Sequence, residues 1–158
     1  MAVTFPRYVP EADQRANLRE VAQGLYVGGM IAVCERPTRT RDWWAVVDCH
    51  GYLHEGQREY RFGTLPRVVR YGFDDFGPVP VSLLVAASAL YRERGGAMLV
   101  SCAAGASRSA SVAYAMMRDV LGTPHDEALA SVSQRGGGPH PTTLASAQAW
   151  VMRGFVGE

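Results

Sequence analysis

A cysteine and an arginine, separated by five small residues, occur in the stretch SCAAGASRS, residues 101–109. The stretch follows the apolar run AMLV, so Cys102 comes at the end of an expected buried strand. Ala, Gly and Ser fill little of a core, and this composition instead lets the backbone approach a bound group closely. The thiol of Cys102 could attack an anion such as a phosphate, while the guanidinium of Arg108 holds its oxygens.

The segment from Cys102 to Arg108, which we call the cysteine loop, also offers main-chain donors. Its five inner residues are Ala103, Ala104, Gly105, Ala106 and Ser107. If they wrap in one turn before a helix, their N–H groups converge on an anion site, and the same field favours a thiolate. Gly105 permits a positive φ, and Ser109 can donate a hydrogen bond to the departing sulfur. We interpret the loop as an activated nucleophile beside a phosphate site; a buried structural cysteine before a turn is the alternative.

The elements around this loop predict that it lies at the carboxyl edge of a sheet. Strands are predicted at 19–22, at 25–27 before a Gly-Gly pair, and at 43–49, 67–73 and 97–100. Helices are predicted from Pro80 to Gly95, over 108–121 with Gly122 at the end, from 125 to about 134, and from a cap at Thr142 or Thr143 to 152. This alternation predicts an α/β fold, a central, largely parallel twisted sheet with helices on both faces. Ligands bind beyond the carboxyl ends of such strands.

Size and charge narrow the choice of function classes. The 158 residues predict a single domain, with residues 1–17 as an irregular N-terminal arm. The net charge of +1 gives no sign of a nucleic-acid or membrane partner, and the longest apolar run is far shorter than the roughly 20 residues that span a bilayer. Three widely spaced cysteines predict no disulfide framework and hence a reducing compartment. We expect a cytoplasmic monomer.

The motif CAAGASRS matches the C-x5-R signature of cysteine-dependent phosphatases. The segment GLYVGG resembles the early strand of the dual-specificity group, LVSCAAGASRSASVAYAMM resembles its active-site strand, loop and helix, and DEALASV resembles a later helix. The likeness runs from about Glu20 to Trp150. It implies the dual-specificity phosphatase fold, a phosphocysteine on Cys102, a phosphorylated protein as partner and no metal or organic cofactor. The chain departs from the family at Ser101, where a histidine usually orders the loop and tunes the thiol.

The segment YGFDDFGPVP offers a carboxylic acid. Cleaving a phosphate ester requires protonation of the leaving oxygen. In the family that this chain resembles, the general acid lies on a loop after a strand, often as Asp followed shortly by Pro. The order Asp-Phe-Gly-Pro favours Asp75, but the short interval to Cys102 keeps Asp74 open as the acid. Both aspartates could also serve only to form a turn.

The five inner residues of the cysteine loop are uncharged, and this indicates which class of substrate the loop would accept. Phosphoinositide-directed relatives usually carry lysines there, so the resemblance favours phosphotyrosine, with phosphoserine and phosphothreonine second. Two alternatives stay open. One is a phosphate-binding pseudophosphatase that acts as an interaction module, to which Ser101 would point. The other is a phosphatase of RNA 5′-phosphates, against which the lack of a basic surplus weighs.

Cys49 ends a strand expected to neighbour that of Cys102. It could capture an oxidised Cys102 as a disulfide, since a sulfenic acid condenses with a nearby thiol, if the two Cα atoms lie within about 7 Å. Some members of the resembled family, including the phosphatases of regenerating liver, carry a cysteine at the matching place. The cluster of Cys49 with His50, His54 and Glu55 could suggest a metal, but a strand end followed by a polar loop explains it as well, and we expect no metal.

Overall fold

The computed structural model describes residues 17–29, 43–50, 67–102, 105–133 and 138–154. Several sequence predictions concern residues outside these ranges. They are the N-terminal arm up to residue 16, Ala103 and Ala104 of the cysteine loop, and His54 and Glu55 of the candidate metal cluster.

A five-stranded sheet forms the centre of the described structure. Its strands are β1 (Arg19–Ala22), β2 (Leu25–Gly29), β3 (Ala45–Asp48), β4 (Val68–Arg70) and β5 (Met98–Cys102). They lie in the order β1-β2-β5-β3-β4; β1 pairs with β2 antiparallel, and all other pairs are parallel. The predicted largely parallel sheet is therefore confirmed. Because β5 is central and all its residues are buried, its carboxyl end brings Cys102 to the middle of one sheet edge.

Four helices pack against one face of this sheet. They are α1 (Val81–Glu93), α2 (Arg108–Met116), α3 (His125–Val132) and α4 (Pro141–Val151), with a 3₁₀ turn over Met152–Gly154. Their apolar residues form one core with alternate residues of the inner strands, among them Leu25, Val47 and Val100. Every residue of α2 is buried, so this helix, which follows the cysteine loop, is fixed on all sides. No helix within the described ranges is long and apolar enough to cross a membrane.

The opposite face of the sheet carries a smaller core of Trp43, Val46 and Leu99. The side chains of β3 and β5 alternate between the two faces, as strand geometry requires. Val46 and Leu99 are fully buried, so the sheet is covered on both sides. All four predicted helices lie within the described ranges and pack on the first face.

The ends of four strands differ from the sequence prediction. The strand predicted for 43–49 forms only over Ala45–Asp48. The strand predicted for 67–73 forms only over Val68–Arg70; the Tyr71 N–H still donates to Asp48 O at 3.0 Å, and the chain leaves the sheet after this residue. β5 continues two residues beyond the predicted end and includes Cys102 itself. β2 likewise includes Gly28 and Gly29, which were expected only to close it, because they pair with Ser101 and Cys102.

Two helices also differ from expectation. The helix predicted over 108–121 is α-helical to Met116 and widens to a π-helical turn over Met117–Leu121, then ends at Gly122 as predicted. The prediction that Thr142 or Thr143 caps α4 is wrong. Pro141 takes the first helical position and His140 is the N-cap, with Nδ1 accepting from the Thr142 N–H at 3.3 Å.

Candidate active site

Cys102 ends β5 just ahead of α2 and is only 2% exposed. Its Sγ accepts a hydrogen bond from the Gly105 N–H at 3.2 Å and lies 3.2 Å from Ser109 Oγ. The sulfur therefore has one main-chain donor and one hydroxyl within reach, beside the amino end of a buried helix. Donors beside a helix N-terminus are typical of anion-binding sites.

Gly105 lets the cysteine loop fold against the backbone of β2. Its φ is +73°, and a Cβ at this position would lie 2.5 Å from Gly28 C and 2.7 Å from Gly29 N. Neither the dihedral angle nor the space admits a side chain, which fits the sequence-based role of Gly105. The same contact explains why glycines end β2, since a glycine in a strand often marks the close approach of another backbone.

Arg108 joins the cysteine loop to the loop of residues 71–80, which we call the aspartate loop. Arg108 is the first residue of α2 and is 9% exposed. Its Nη1 donates to Phe73 O at 3.2 Å, and its Nε lies 3.5 Å from Asp75 Oδ1. The planar guanidinium thus lies between the thiol side of the site and its carboxylate, where it could hold two oxygens of a phosphate.

A pocket of about 290 Å³ opens over the sulfur. It is lined by Asp75, Phe76, Cys102, Ala106, Ser107, Arg108, Gly138 and His140. The Asp75 side chain is 53% exposed and faces this space, whereas Asp74 does not line it. The Asp74 carbonyl instead accepts the Gly77 N–H at 2.9 Å, which closes a turn. The geometry therefore favours Asp75 over Asp74 and gives Asp74 the turn-forming role.

The start of α4 holds the aspartate loop in place. Thr143 Oγ1 donates to Gly77 O at 2.9 Å, and Ser146 Oγ accepts from the Val79 N–H at 2.8 Å. The His140 ring lies 4.6 Å from the Phe76 ring, and the His140 N–H donates to Ser107 Oγ at 2.9 Å. Sequence analysis missed these contacts, because polar residues at a helix start look like caps and their partners lie more than 60 residues away in sequence.

Cys49 lies beside Cys102, as predicted from the strand order. Asp48 pairs with Ser101 in the parallel ladder, and the Cys49 N–H donates to Ser101 O at 2.7 Å. Adjacent strands lie about 4.8 Å apart, within the Cα separation that a disulfide requires. Both thiols are free and buried.

The surroundings of Cys49 keep it neutral. Burial first, then the charges of Cys102 and Asp48, raise the pKa of the Cys49 thiol well above its ordinary value, and Arg108 only partly opposes this. Cys49 is therefore a thiol at neutral pH and not a competing nucleophile.

The remaining polar residues at this edge of the sheet bind one another. Asp48 is buried, accepts the His50 N–H on Oδ1 at 2.9 Å, and has Arg70 Nε 3.6 Å from Oδ2. Within the described ranges, no three His, Cys, Asp or Glu side chains gather in a way that could hold a metal ion.

Comparisons with known proteins identify the fold. No family model matches the sequence, and a search of curated proteins finds no significant match. Solved structures do match. The human tyrosine phosphatase-like serine/threonine/tyrosine-interacting protein is 20% identical, with a TM-score of 0.69 over 84% of this chain and 94% of that one. Tk-PTP in its active form is 22% identical, with a TM-score of 0.70 over 86% and 97%.

A third match is a mouse protein described as a dual specificity phosphatase and solved with zinc tungstate. It is 23% identical, with a TM-score of 0.66, and the alignment covers 96% of this chain and 93% of that chain. The chain therefore has the dual-specificity phosphatase fold, as the resemblance of its motifs implied. In this chain the described pocket lies where the cysteine loop, Arg108 and the aspartate loop meet.

Proposed function

We propose that this protein hydrolyses phosphate monoesters of proteins, phosphotyrosine first and phosphoserine or phosphothreonine second, through a phosphocysteine intermediate on Cys102. One observation carries the proposal: a thiol, a guanidinium and a carboxylate line a single pocket, and a main-chain N–H donates to the thiol sulfur. The lining groups belong to Cys102, Arg108 and Asp75, and the donor is the Gly105 N–H, 3.2 Å from Cys102 Sγ. Each is of the type that one step of this reaction requires.

The first step transfers the phosphoryl group to the enzyme. The Cys102 thiolate attacks phosphorus, and an S–P bond forms as the bond from phosphorus to the ester oxygen breaks. Arg108 and the amides of the cysteine loop hold the non-bridging oxygens as their charge is redistributed. The Asp75 carboxylic acid gives its proton to the leaving oxygen, which departs as a neutral hydroxyl.

The second step returns the enzyme to its starting state. The Asp75 carboxylate takes a proton from a water molecule whose oxygen attacks phosphorus. The S–P bond breaks, inorganic phosphate leaves, and the sulfur departs as a thiolate. Ser109 Oγ, 3.2 Å from the sulfur, donates a hydrogen bond to the charge that develops there. The scheme uses no metal or organic cofactor.

The mouth of the pocket supports the preference for phosphotyrosine. Phe76 is 63% exposed, and its ring lies 4.6 Å from that of His140, so two rings border the entrance. An aromatic leaving group could pack against them. The lining residue Ala106 brings no charge, so nothing in that part of the rim selects a polyanionic headgroup. A phosphorylated cytoplasmic protein is the partner that fits this pocket and the reducing compartment that the cysteines suggest.

A phosphate-binding interaction module is the second candidate. Ser101 is the observation in its favour, since the usual histidine before the nucleophile is missing. The human neighbour is described as a phosphatase-like, interacting protein, which adds weight to this candidate. The third candidate, a phosphatase of RNA 5′-phosphates, has no support in a chain of net charge +1.

Turnover of para-nitrophenyl phosphate, followed by a panel of matched phosphotyrosine, phosphoserine and phosphothreonine peptides, tests the proposal. Arg108→Lys should lower kcat/KM by at least about 100-fold, because a lysine ammonium cannot make the bidentate hydrogen bonds of a planar guanidinium. Arg92→Lys is the matched control, since Arg92 lies on α1 and pairs with Asp119 at 2.8 Å. Oxyanion binding without any turnover would favour the interaction module. Equal rates for Arg108→Lys and wild type would refute the proposal.

A further inference from the structure

The side chain of Arg19 on β1 connects three separate parts of the structure. Its Nη1 donates to Gly105 O at 3.0 Å and to Asn17 O at 2.8 Å. Its Nη2 donates to Val132 O, at the end of α3, at 2.9 Å. Asn17 adds a second donor to the same Gly105 carbonyl, from Nδ2 at 3.3 Å. Neither the motif nor the reaction scheme above assigns a role to Arg19.

The Gly105 carbonyl is an important point of attachment because of the peptide that it belongs to. A peptide unit is planar, so a donor that holds the Gly105 oxygen also fixes the Ala106 N–H, which points the opposite way. Ala106 lines the pocket over Cys102. The Gly105 N–H, one peptide earlier, donates to the sulfur itself. Arg19 therefore contacts a residue whose N–H donates to the thiol and whose carbonyl belongs to the peptide that leads to Ala106 of the pocket.

Gly105 is also a residue at which the loop could change conformation. Its φ of +73° lies in a region that glycine leaves readily, since glycine populates many backbone conformations at little cost. A hydrogen bond from a charged donor is roughly twice as strong as a neutral one. The contact from Arg19 thus selects one orientation of a flexible peptide and places a positive charge on the loop.

We propose that Arg19 is a positioning residue for the cysteine loop: it holds the Gly105–Ala106 peptide so that the loop amides face a bound oxyanion and the thiolate of Cys102. The inference rests on the proposed function, and it extends that function to a residue far from the motif. It also offers a physical substitute for the missing histidine, because Arg19 brings a permanent cation to a loop preceded by Ser101.

A purely structural role for Arg19 predicts different results. Its bond to Val132 O also ties α3 to the sheet, and a structural tie would affect unfolding alone. A positioning role must appear in oxyanion affinity and in the reactivity of the thiol. The two roles therefore separate when binding, inactivation and stability are measured on the same variants.

The experiment compares wild type with Arg19→Gln and Arg19→Lys. Tungstate binding is measured by calorimetry, and kcat/KM is measured with para-nitrophenyl phosphate. Loss of charged hydrogen bonds should weaken both by about 10- to 100-fold in Arg19→Gln. Arg19→Lys should fall between, since one ammonium cannot reach every carbonyl. Iodoacetamide inactivation of Cys102 should move to higher pH in Arg19→Gln. Arg153→Lys is the matched control, because Arg153 also donates to a carbonyl, that of Trp150, at 2.8 Å.

Asn17→Ala is a second variant that tests the same Gly105 carbonyl if Arg19→Gln does not fold. It removes only the weaker neutral donor and should reduce tungstate affinity by a few-fold, up to about 10-fold. Unchanged affinity and unchanged inactivation profiles in folded Arg19→Gln and in Asn17→Ala would overturn the inference while the proposed function stands. Tungstate binding that depends on Arg19, without turnover in wild type, would support the inference and refute the proposed function. A wild type that neither binds nor turns over would refute both.

Discussion

Replacement of Gly105 by alanine tests how closely the cysteine loop depends on its contact with β2. The new Cβ would lie 2.5 Å from Gly28 C, whereas ordinary van der Waals contact begins at 3.4 Å. The atoms must therefore separate by about 0.9 Å, and neither partner is a flexible side chain. A movement of that size would lengthen the 3.2 Å contact from Gly105 N to Cys102 Sγ to about 4 Å.

The expected magnitude has two parts. A non-glycine residue at a positive φ costs about 1–2 kcal/mol, and overpacking costs about 1–3 kcal/mol more. Gly105→Ala should thus lose about 2–5 kcal/mol of unfolding free energy, with Tm lower by about 2–4 °C for each kcal/mol. The value of kcat/KM should also fall about 100-fold, since displacement of a reacting group by about 1 Å can reduce the rate by that factor.

Gly122→Ala is the matched control. Gly122 has a similar φ of +68° at the end of the helix, but a Cβ there meets no atom within 4 Å. It should lose only the strain of about 1–2 kcal/mol and retain full activity. Chemical denaturation gives the free energies, and hydrolysis of para-nitrophenyl phosphate gives kcat/KM. If Gly105→Ala loses no more stability than Gly122→Ala and remains active, the close approach of the loop to β2 has no functional importance.

The remaining predictions concern the acid and the thiols. Asp75→Asn should lower the rate on phosphotyrosine peptide by about 10²–10³-fold and flatten the alkaline limb of the pH profile, with a smaller loss on para-nitrophenyl phosphate, whose leaving group barely needs a proton. A larger loss in Asp74→Asn would transfer the role to Asp74. Ser101→His should move iodoacetamide inactivation of Cys102 to lower pH, because an imidazolium favours the thiolate; an unchanged profile would show that the loop already sets the reactivity. Cys49→Ser should make peroxide inactivation harder to reverse with dithiothreitol, and recovery equal to wild type would leave Cys49 a packing residue.

The sequence predicted those features that depend on local pattern. The apolar run before Cys102 and the small residues after it are contiguous, so strand, loop and helix could be inferred together. The alternation of strands and helices predicted a parallel sheet. Because parallel strands end at the same edge, it also predicted that Cys49 and Cys102 lie close together. The order Asp-Phe-Gly-Pro in the sequence favours Asp75 over Asp74. The structure adds that Asp75, and not Asp74, lines the pocket together with Cys102.

Contacts between distant segments could not be predicted. Arg19 looked like an ordinary strand residue, because its partner Gly105 lies 86 positions away. The sequence around His140 gives no sign that this residue caps α4 and contacts both loops of the site. Strand ends also depend on neighbours: β2 keeps its two glycines in the ladder because Ser101 and Cys102 lie opposite them. Each of these features requires a partner that local pattern does not specify.

The central claim is that Cys102 carries the phosphoryl group during turnover. Rapid acid quenching of wild type and of Asp75→Asn during hydrolysis of a phosphotyrosine peptide, followed by peptide mass spectrometry, tests it most directly. The account predicts one added phosphoryl group on the peptide that contains Cys102, at a higher level in Asp75→Asn, because water is activated poorly without the carboxylate. It also predicts no phosphoryl adduct and no turnover in Cys102→Ser. Turnover by Cys102→Ser near the wild-type rate, or a phosphoryl group trapped on another residue, would contradict the account.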